Sequence, residues 1–463
     1  MARILFLTQV LPYPLDSGAK IRAYYVLRHL AQQHQITLVS FVRGDNRPDD
    51  TAHLAQFCEA VHTVPLQRSR WRDLRAVTRA WLSGQSTIIV RDEIPAMHTL
   101  LKQLMTEQTF DAIHADQASM AQYALYAQQV QSLKSKVQSP KFIVDSSASP
   151  IPQSSISNLP TVLDAHNALF HIPERLAQHE RNPLKRWVLQ REARALARYE
   201  THTYPKFTHV VFVSAEDRAA IQEQIKKQEA RSKNRKSRIE NRNFPDSPLP
   251  TPHSLLPTPY SLLHSPVIPI CVDPDDRPLV QRVAHPRTIL SLGTMFWPPN
   301  VEGVLWFARE VFPRVLECAP DARFVVVGKN PPAAVQALTA AFPNVEVTGY
   351  VPDPTPYLAE TAAFVVPLNA GGGMRVKVVD AWGWGLPIVS TTIGAEGIDV
   401  QDGKNILLGD TPEAFAEAVI RLLENPALGE RLRANGRQWV ETHYNWRTVY
   451  AQWDAVYDKV LAQ

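Results

Sequence analysis

Short apolar runs of strand length alternate with helix-length patterns from the first residues of this chain: "RILFLTQ", then "IRAYYVLRHLAQQ", then "QITLVSFV". That order is the β-α-β rhythm of a parallel sheet, because parallel neighbours need a crossover between them. Further on, "FDAIHAD", "PTVLDAHN" and "HVVFVSAEDRAAIQEQI" each place a polar residue just after the apolar run. In an open parallel sheet that carboxyl edge is where ligands bind. A second series starts near residue 287, with "RTILSLG", "RFVVVGK", "VEVTGYV", "AAFVVPL", "LPIVSTT" and "NILLGD" separated by patterns such as "VEGVLWFAREVFPRVLECAP" and "TPEAFAEAVIRLLENP". At 463 residues the chain exceeds one ordinary core, and two domains of roughly 150 to 200 residues are expected. The pattern therefore predicts an α/β protein with two doubly wound domains built on parallel sheets.

Composition narrows the function. With 45% hydrophobic and 20% charged residues and a net charge of +4, the chain reads as soluble and globular, and no nucleic-acid partner is expected. Cys58, Cys271 and Cys318 are widely separated and form neither a metal-ligand pattern nor a disulfide framework, which fits a reducing, cytoplasmic setting. The opening "MARILFLTQVLPYPLDSG" has an early arginine and an apolar run, but no small-residue cleavage site follows, so it reads as a first strand. No window of 18 apolar residues is present, so any membrane contact is expected to be peripheral.

Two stretches interrupt the rhythm. Residues 226–243, "KKQEARSKNRKSRIENRN", are cation-rich and lead into "LPTPHSL" and "LPTPYSL", a pattern repeated back to back from Leu249 to Leu262. Proline at this density removes amide donors and fixes φ, which predicts a mobile polyproline-like segment. It is read as a surface insertion rather than a nucleic-acid arm. "SPKFIVDSSASPIPQSSISNLP" at 139–160 reads as a second insertion. The expected organisation is a first domain at 1–270, with disordered insertions at about 132–160 and 226–265, then a second at 271–445 and a terminal helix at 446–463 crossing back to the first.

"NAGGGMRVKVVDAWGWGLPIVST", residues 369–391, carries the chemistry. Glycines after a buried-type strand let the backbone turn sharply and present bare amides. From about Met374 the pattern is helical, and a helix start offers unpaired N–H groups and partial positive charge to an anion. Arg375 and Lys377 add two charges within one turn, enough for a diphosphate. Glycine after a strand is also an ordinary turn, and helical cations are commonly solvated, so the stretch alone is a modest signal. Neither the P-loop spacing nor G-x-G-x-x-G occurs, which argues against ATPases and ordinary NAD enzymes.

The segment from "GGGMRVKVVDAWGWGLPIVSTTIGAEGIDVQDGKNILLGD" to "VETHYNW", together with "SLGTMFWPPNVEGVLWF", "VVVGKNPP" and "VTGYVPDPTPYLAETAAFVVPL", resembles the group 1 (family 4) retaining glycosyltransferases. The first half agrees through "PLDSGAKIR", "LDAHN", "VVFVSAEDRAAI" and "VIPICVDPDD". The resemblance implies a GT-B fold, two facing Rossmann-like domains with a nucleoside-diphosphate sugar in the cleft, and neither a metal nor another cofactor. It places Arg375 and Lys377 at the diphosphate and Asp380 at the nucleotide ribose. The acid of the family pattern that meets the sugar falls at Gly372, which leaves that contact to the amides of Gly372, Gly373 and Met374. Asn300 stands after the Gly293 loop where many relatives carry a cation. Glu396 lines the donor pocket or ends a loop. His166, in "VLDAHNALF", is expected near the donor sugar, and Gly18 on the acceptor side. Fixed amides and cations aimed at the departing diphosphate lower the barrier, each donor contributing about 3 kcal/mol. His114 and Asp116 read as strand-end polarity more than as acceptor contacts, and Ser214 with Asp217 as a helix cap.

In "RSRWRDLRAVTRAWL", Arg68, Arg72, Arg75 and Arg79 form one helical stripe, with Trp71, Leu74 and Trp81 on a neighbouring side. Residues 68–82 thus read equally as a peripheral membrane contact or as a solvated face over a buried one. The expectation is a cytoplasmic, metal-independent hexosyltransferase moving a sugar to a lipid-linked glycan or polysaccharide precursor. A nucleotide-sugar epimerase or hydrolase, and a non-catalytic nucleotide-sugar binder, stay open as alternatives.

Overall fold

The computed structural model describes residues 1–44, 46–67, 69–138, 159–240, 264–283, 286–295 and 297–462. Within these, β1 (Arg3–Thr8), β2 (Gln35–Val42), β3 (Ala60–Pro65), β4 (Ala112–Asp116), β5 (Thr161–Ala165) and β6 (His209–Phe212) form one sheet. Its order is β3-β2-β1-β4-β5-β6, and each pairing is parallel. β7 (Thr288–Leu292), β8 (Arg323–Val327), β9 (Val345–Gly349), β10 (Thr361–Val366), β11 (Ile388–Ser390) and β12 (Leu407–Leu408) form the second, in the order β12-β11-β10-β7-β8-β9. Its pairings are parallel too. Read from its own first strand, each sheet has the same Rossmann-like order, with a reversal between β1 and β4 in one and between β7 and β10 in the other. β3 escaped the sequence reading because it is an edge strand, half-exposed and without a continuous apolar run.

Two compact units result: Met1–Phe170, Arg191–Ile268 and Ala451–Gln463 in one, His171–Gln190 and Pro269–Tyr450 in the other. The boundary expected at 270/271 falls at 268/269, and the returning terminal segment begins at Ala451 rather than at 446. Residues 171–190, assigned from sequence to the first domain, belong to the second. Each unit has its own core, with Leu5, Leu7, Val39, Ile113 and Leu163 at the centre of the first and Phe307, Phe312, Phe324 and Phe415 in the second.

The insertions also need correction. Residues 132–138 end the helix Ala121–Gln138, and residues 226–240 continue the helix Ala215–Glu240; the Lys/Arg/Glu content that suggested a solvated tail is equally good helix-forming material. The repeat at 249–262 and residues 139–158 lie outside the described residues, as does Arg68. "VEGVLWFAREVFPRVLECAP" is not one α-helix. Pro298–Trp306 and Phe312–Cys318 are joined by a π-turn at Phe307–Val311, a widening just before Pro313, which has no N–H to continue the α pattern. Among the described residues no helix is long and apolar enough to cross a membrane.

Candidate functional site

The order reversal between β7 and β10 is where a doubly wound sheet opens a crevice for ligand. Two loops leave the sheet there. After β7 comes Gly293, where an added Cβ would lie 2.9 Å from Lys377 Nζ and 3.1 Å from Asn300 Nδ2. After β10 come the three glycines, with φ of +137° at Gly371 and +76° at Gly373, a region that side chains disfavour. The helix starts at Val376, two residues later than expected, and ends at Gly383.

The charged groups lie differently from the simple picture of two cations aimed at an anion. Arg375 is buried, and its Nη1 donates to the carbonyls of Gly372 and Gly373 at 2.5 and 2.6 Å. Lys377 Nζ donates to Asn300 Oδ1 at 2.9 Å, while Asn300 Nδ2 donates to Thr294 O at 2.8 Å. Asn300 therefore orients the lysine instead of serving as a spare donor. Burial, with Arg375 adding to it, lowers the Lys377 ammonium to about 8. Asp380 accepts from Arg277 Nε at 2.9 Å; burial raises its carboxyl, with Arg277 opposing. Met374 faces inward, its sulfur accepting from Ile270 N at 3.2 Å.

Glu396 is held by a residue that the sequence did not single out. Arg175, on the helix His171–His179, donates from Nη1 and Nη2 to the two Glu396 oxygens at 2.5 and 2.6 Å, and from Nη1 to Gly371 O at 2.5 Å. Burial opposes the charge on Glu396, but Arg175, with Arg375 and His171, outweighs it and holds the carboxyl below its ordinary range. Arg175 and Arg277 had no local signal, being separated from their partners by 221 and 103 residues.

The first unit has its own polar cluster at the ends of β4 and β5. Asp116 and Asp164 are register partners, so both carboxylates leave the same face of the sheet. Arg22 forks Asp164 at 2.8 and 3.0 Å, and His166 Nε2 lies 2.8 Å from Asp116 Oδ1. Burial raises Asp116; burial works against a charged His166 too, but Asp116 and Asp164 outweigh it and raise His166. One ligand atom each from Asp116, Asp164 and His166 fall within 4.8 Å of one another, a spacing that a metal ion could use. Both Asp164 oxygens are already taken by Arg22, however, so its charge is compensated by the protein itself. Gly18 opens the helix Gly18–Leu30, one turn before Arg22. His114 is fully buried, hydrogen-bonded through Nδ1 to the Tyr457 hydroxyl at 2.9 Å and stacked on Phe6. Burial pushes it down to about 3, so it is a neutral core residue. Ser214 caps its helix by accepting from Asp217 N at 3.1 Å, and Asp217 in turn accepts from Ala168 N at 2.7 Å.

Two Rossmann-like units, the second with glycine loops and cations at its order reversal, define the GT-B class of glycosyltransferase folds. Residues 286–425 match the family described as "Glycosyl transferases group 1". Among curated proteins the chain is 24% identical over 174 residues to an uncharacterized 44.6 kDa protein in the cps region of Klebsiella pneumoniae, covering 36% of this chain and 45% of that one. It is 26% identical over 151 residues to a GDP-mannose-dependent monoacylated alpha-(1-6)-phosphatidylinositol monomannoside mannosyltransferase of Corynebacterium glutamicum, covering 30% and 40%. The match thus spans less than half the length of these relatives. Among solved structures, HepE from Anabaena in complex with UDP and glucose superposes with a TM-score of 0.59 at 13% identity, over 99% of this chain and 100% of that one.

Proposed function

We propose that this protein is a retaining glycosyltransferase that moves a sugar from a nucleoside-diphosphate sugar to a lipid-linked glycan or polysaccharide precursor, without a metal, in the cytoplasm. The observation that carries the reading is the glycine loop beside Lys377 at the order reversal of the stretch that matches the group 1 glycosyltransferases. Lys377 supplies charge to the leaving diphosphate, and Arg375 contributes through its charge and its hold on the loop. His166, hydrogen-bonded to Asp116, is proposed as the polar contact to the sugar. HepE, with UDP and glucose bound, supports a nucleotide sugar as the donor class. The name of the Corynebacterium transferase supports a lipid-based acceptor.

The test is transfer by purified protein from a panel of UDP-, GDP-, ADP- and TDP-sugars, with and without acceptor and after EDTA. Activity is expected to survive EDTA and to fall by about a hundredfold in Lys377→Ala, as for other lost transition-state donors, with a loss in Arg375→Ala as well. Turnover unchanged in both variants removes the mechanism. Isomerised donor formed without acceptor points to an epimerase instead, and binding without turnover to a non-catalytic binder.

Peripheral membrane contact belongs to the same proposal. The helix Arg70–Ser83 rests on buried Ala76 and Ala80 and turns Trp71, Leu74 and Leu82 outward, 76%, 55% and 86% exposed. Arg70 and Arg75 are exposed beside them. Arg72 is occupied by the carbonyls of Gln67 and Arg91, and Arg79 by Glu93, so the basic stripe is narrower than its spacing suggested. Exposed apolar groups beside Arg70 and Arg75 suit an anionic lipid surface. In flotation assays the protein should rise with phosphatidylglycerol vesicles and not with phosphatidylcholine alone, and Trp71→Glu/Leu82→Glu should stay at the bottom. Equal flotation of that variant rules this surface out.

A further inference from the structure

Three successive carbonyls of the glycine loop, those of Gly371, Gly372 and Gly373, are held by guanidinium groups, the first by Arg175 and the next two by Arg375. In a trans peptide unit the N–H lies opposite the C=O of the same plane. The amides of Gly372, Gly373 and Met374 therefore turn away from the two arginines, and the hydrogen bonds among the described residues give none of them a protein acceptor. A run of such amides is a seat for an anionic oxygen.

A triple-glycine loop does not hold that geometry unaided, because glycine has the largest conformational freedom to lose. Arg375 sits on the loop itself, with its Nη2 3.8 Å from Glu396 Oε2. Arg175 reaches the loop from a separate helix, 196 residues away in sequence. Its planar fork holds both Glu396 oxygens while Nη1 also takes Gly371 O, a combination that an ammonium group cannot reproduce. Glu396 is thereby fixed as a charged, 24% exposed side chain next to the loop, with lone pairs left for a hydroxyl donor.

We infer that Arg175 is a positioning residue for the donor: it orients the loop amides toward the diphosphate and holds the Glu396 carboxylate at the sugar. The inference rests on the donor site proposed above. It acts through hydrogen-bond geometry more than through net charge, which sets the test.

The free energy of UDP, GDP, ADP and TDP binding is measured by calorimetry for the wild type, and the tightest of the four is the probe for Arg175→Lys, Arg175→Met and the double variant Arg175→Met/Glu396→Gln. The double variant removes both charges of the Arg175–Glu396 pair together. All three are expected to bind the probe roughly tenfold to hundredfold more weakly, the range that follows from losing charged hydrogen bonds. Donor KM should rise with acceptor KM unchanged, and folding of the variants is checked by thermal melting. A role in stability alone would lower the melting temperature and leave the affinity of the folded protein intact, which overturns the inference. So does wild-type affinity in Arg175→Lys, because charge would then suffice, or in the double variant, because the loop would then hold itself. A wild type that binds none of the four nucleotides sinks the donor site and this inference with it, whereas a binding wild type with insensitive variants sinks the inference alone.

Discussion

Lys377 carries its charge at a cost, since burial brings it to about 8 with Arg375 adding to the effect. The unfolded chain, with an ordinary lysine, binds that proton more tightly, so between about pH 8 and 10 the contribution of this residue to stability rises with pH. Anion binding has the opposite sign. A diphosphate beside the ammonium raises its pKa, so binding takes up a proton and affinity falls as pH rises through 8. Calorimetry of UDP binding from pH 6.5 to 9.5 should show this weakening, and Lys377→Met should bind more weakly throughout with a flatter profile. The cation could be named from the sequence, because a lysine in the first turn of a helix after glycines has a local signature. Its lowered pKa could not, since that depends first on burial, and the loop of Gly293 and Asn300 that packs against it lies more than seventy residues earlier.

At the scale of elements, the two loops after β7 and β10 share one small space. The absence of a side chain at Gly293 makes room for Lys377 Nζ, which would stand 2.9 Å from an added Cβ. Because the nearest obstructed group is the end of a flexible chain, with the Asn300 amide next at 3.1 Å, Gly293→Ala should leave the fold intact and displace the ammonium. The expected result is an unchanged melting temperature with weaker UDP binding, by roughly tenfold if one charged hydrogen bond is lost; unaltered affinity would show that Lys377 has another place to act from. Gly293 and the triple glycine were visible as strand-end glycines. What favours glycine at 293, 371 and 373 was not, because the crowding at 293 and the positive φ at 371 and 373 exist only once the neighbouring strands are paired. Arg375 makes the same point: its charge and position read as a diphosphate contact, and the structure turns its Nη1 onto its own loop.

Across the whole molecule, each unit is assembled from discontinuous pieces of chain. The helix Gln452–Leu461 completes the first unit, burying Trp453 and Tyr457. Trp453 covers the Arg22 guanidinium at 5.1 Å and Tyr457 hydrogen-bonds His114. Deleting residues 451–463 would expose the Arg22–Asp164 pair and the aromatic surface it rests on. At about 1.5 to 3 kcal/mol for each large side chain uncovered, that is a substantial part of a typical domain stability of about 5 to 15 kcal/mol. The truncated protein should lose the first unit to limited proteolysis while His171–Gln190 and Pro269–Tyr450 persist as the protected remainder; equal resistance of both units would show the helix to be dispensable. The sequence by itself determined the parallel α/β class, the pairing of helix and strand, and the glycine-and-cation stretch, because these depend on period and local chemistry within a few residues. Only the tertiary structure decided that Arg175 grips Glu396, that Arg277 answers Asp380, and that residues 171–190 join the second unit. Those contacts join positions one hundred or more residues apart, and hydrogen-bond partners at that range are selected by the folded geometry that brings them together.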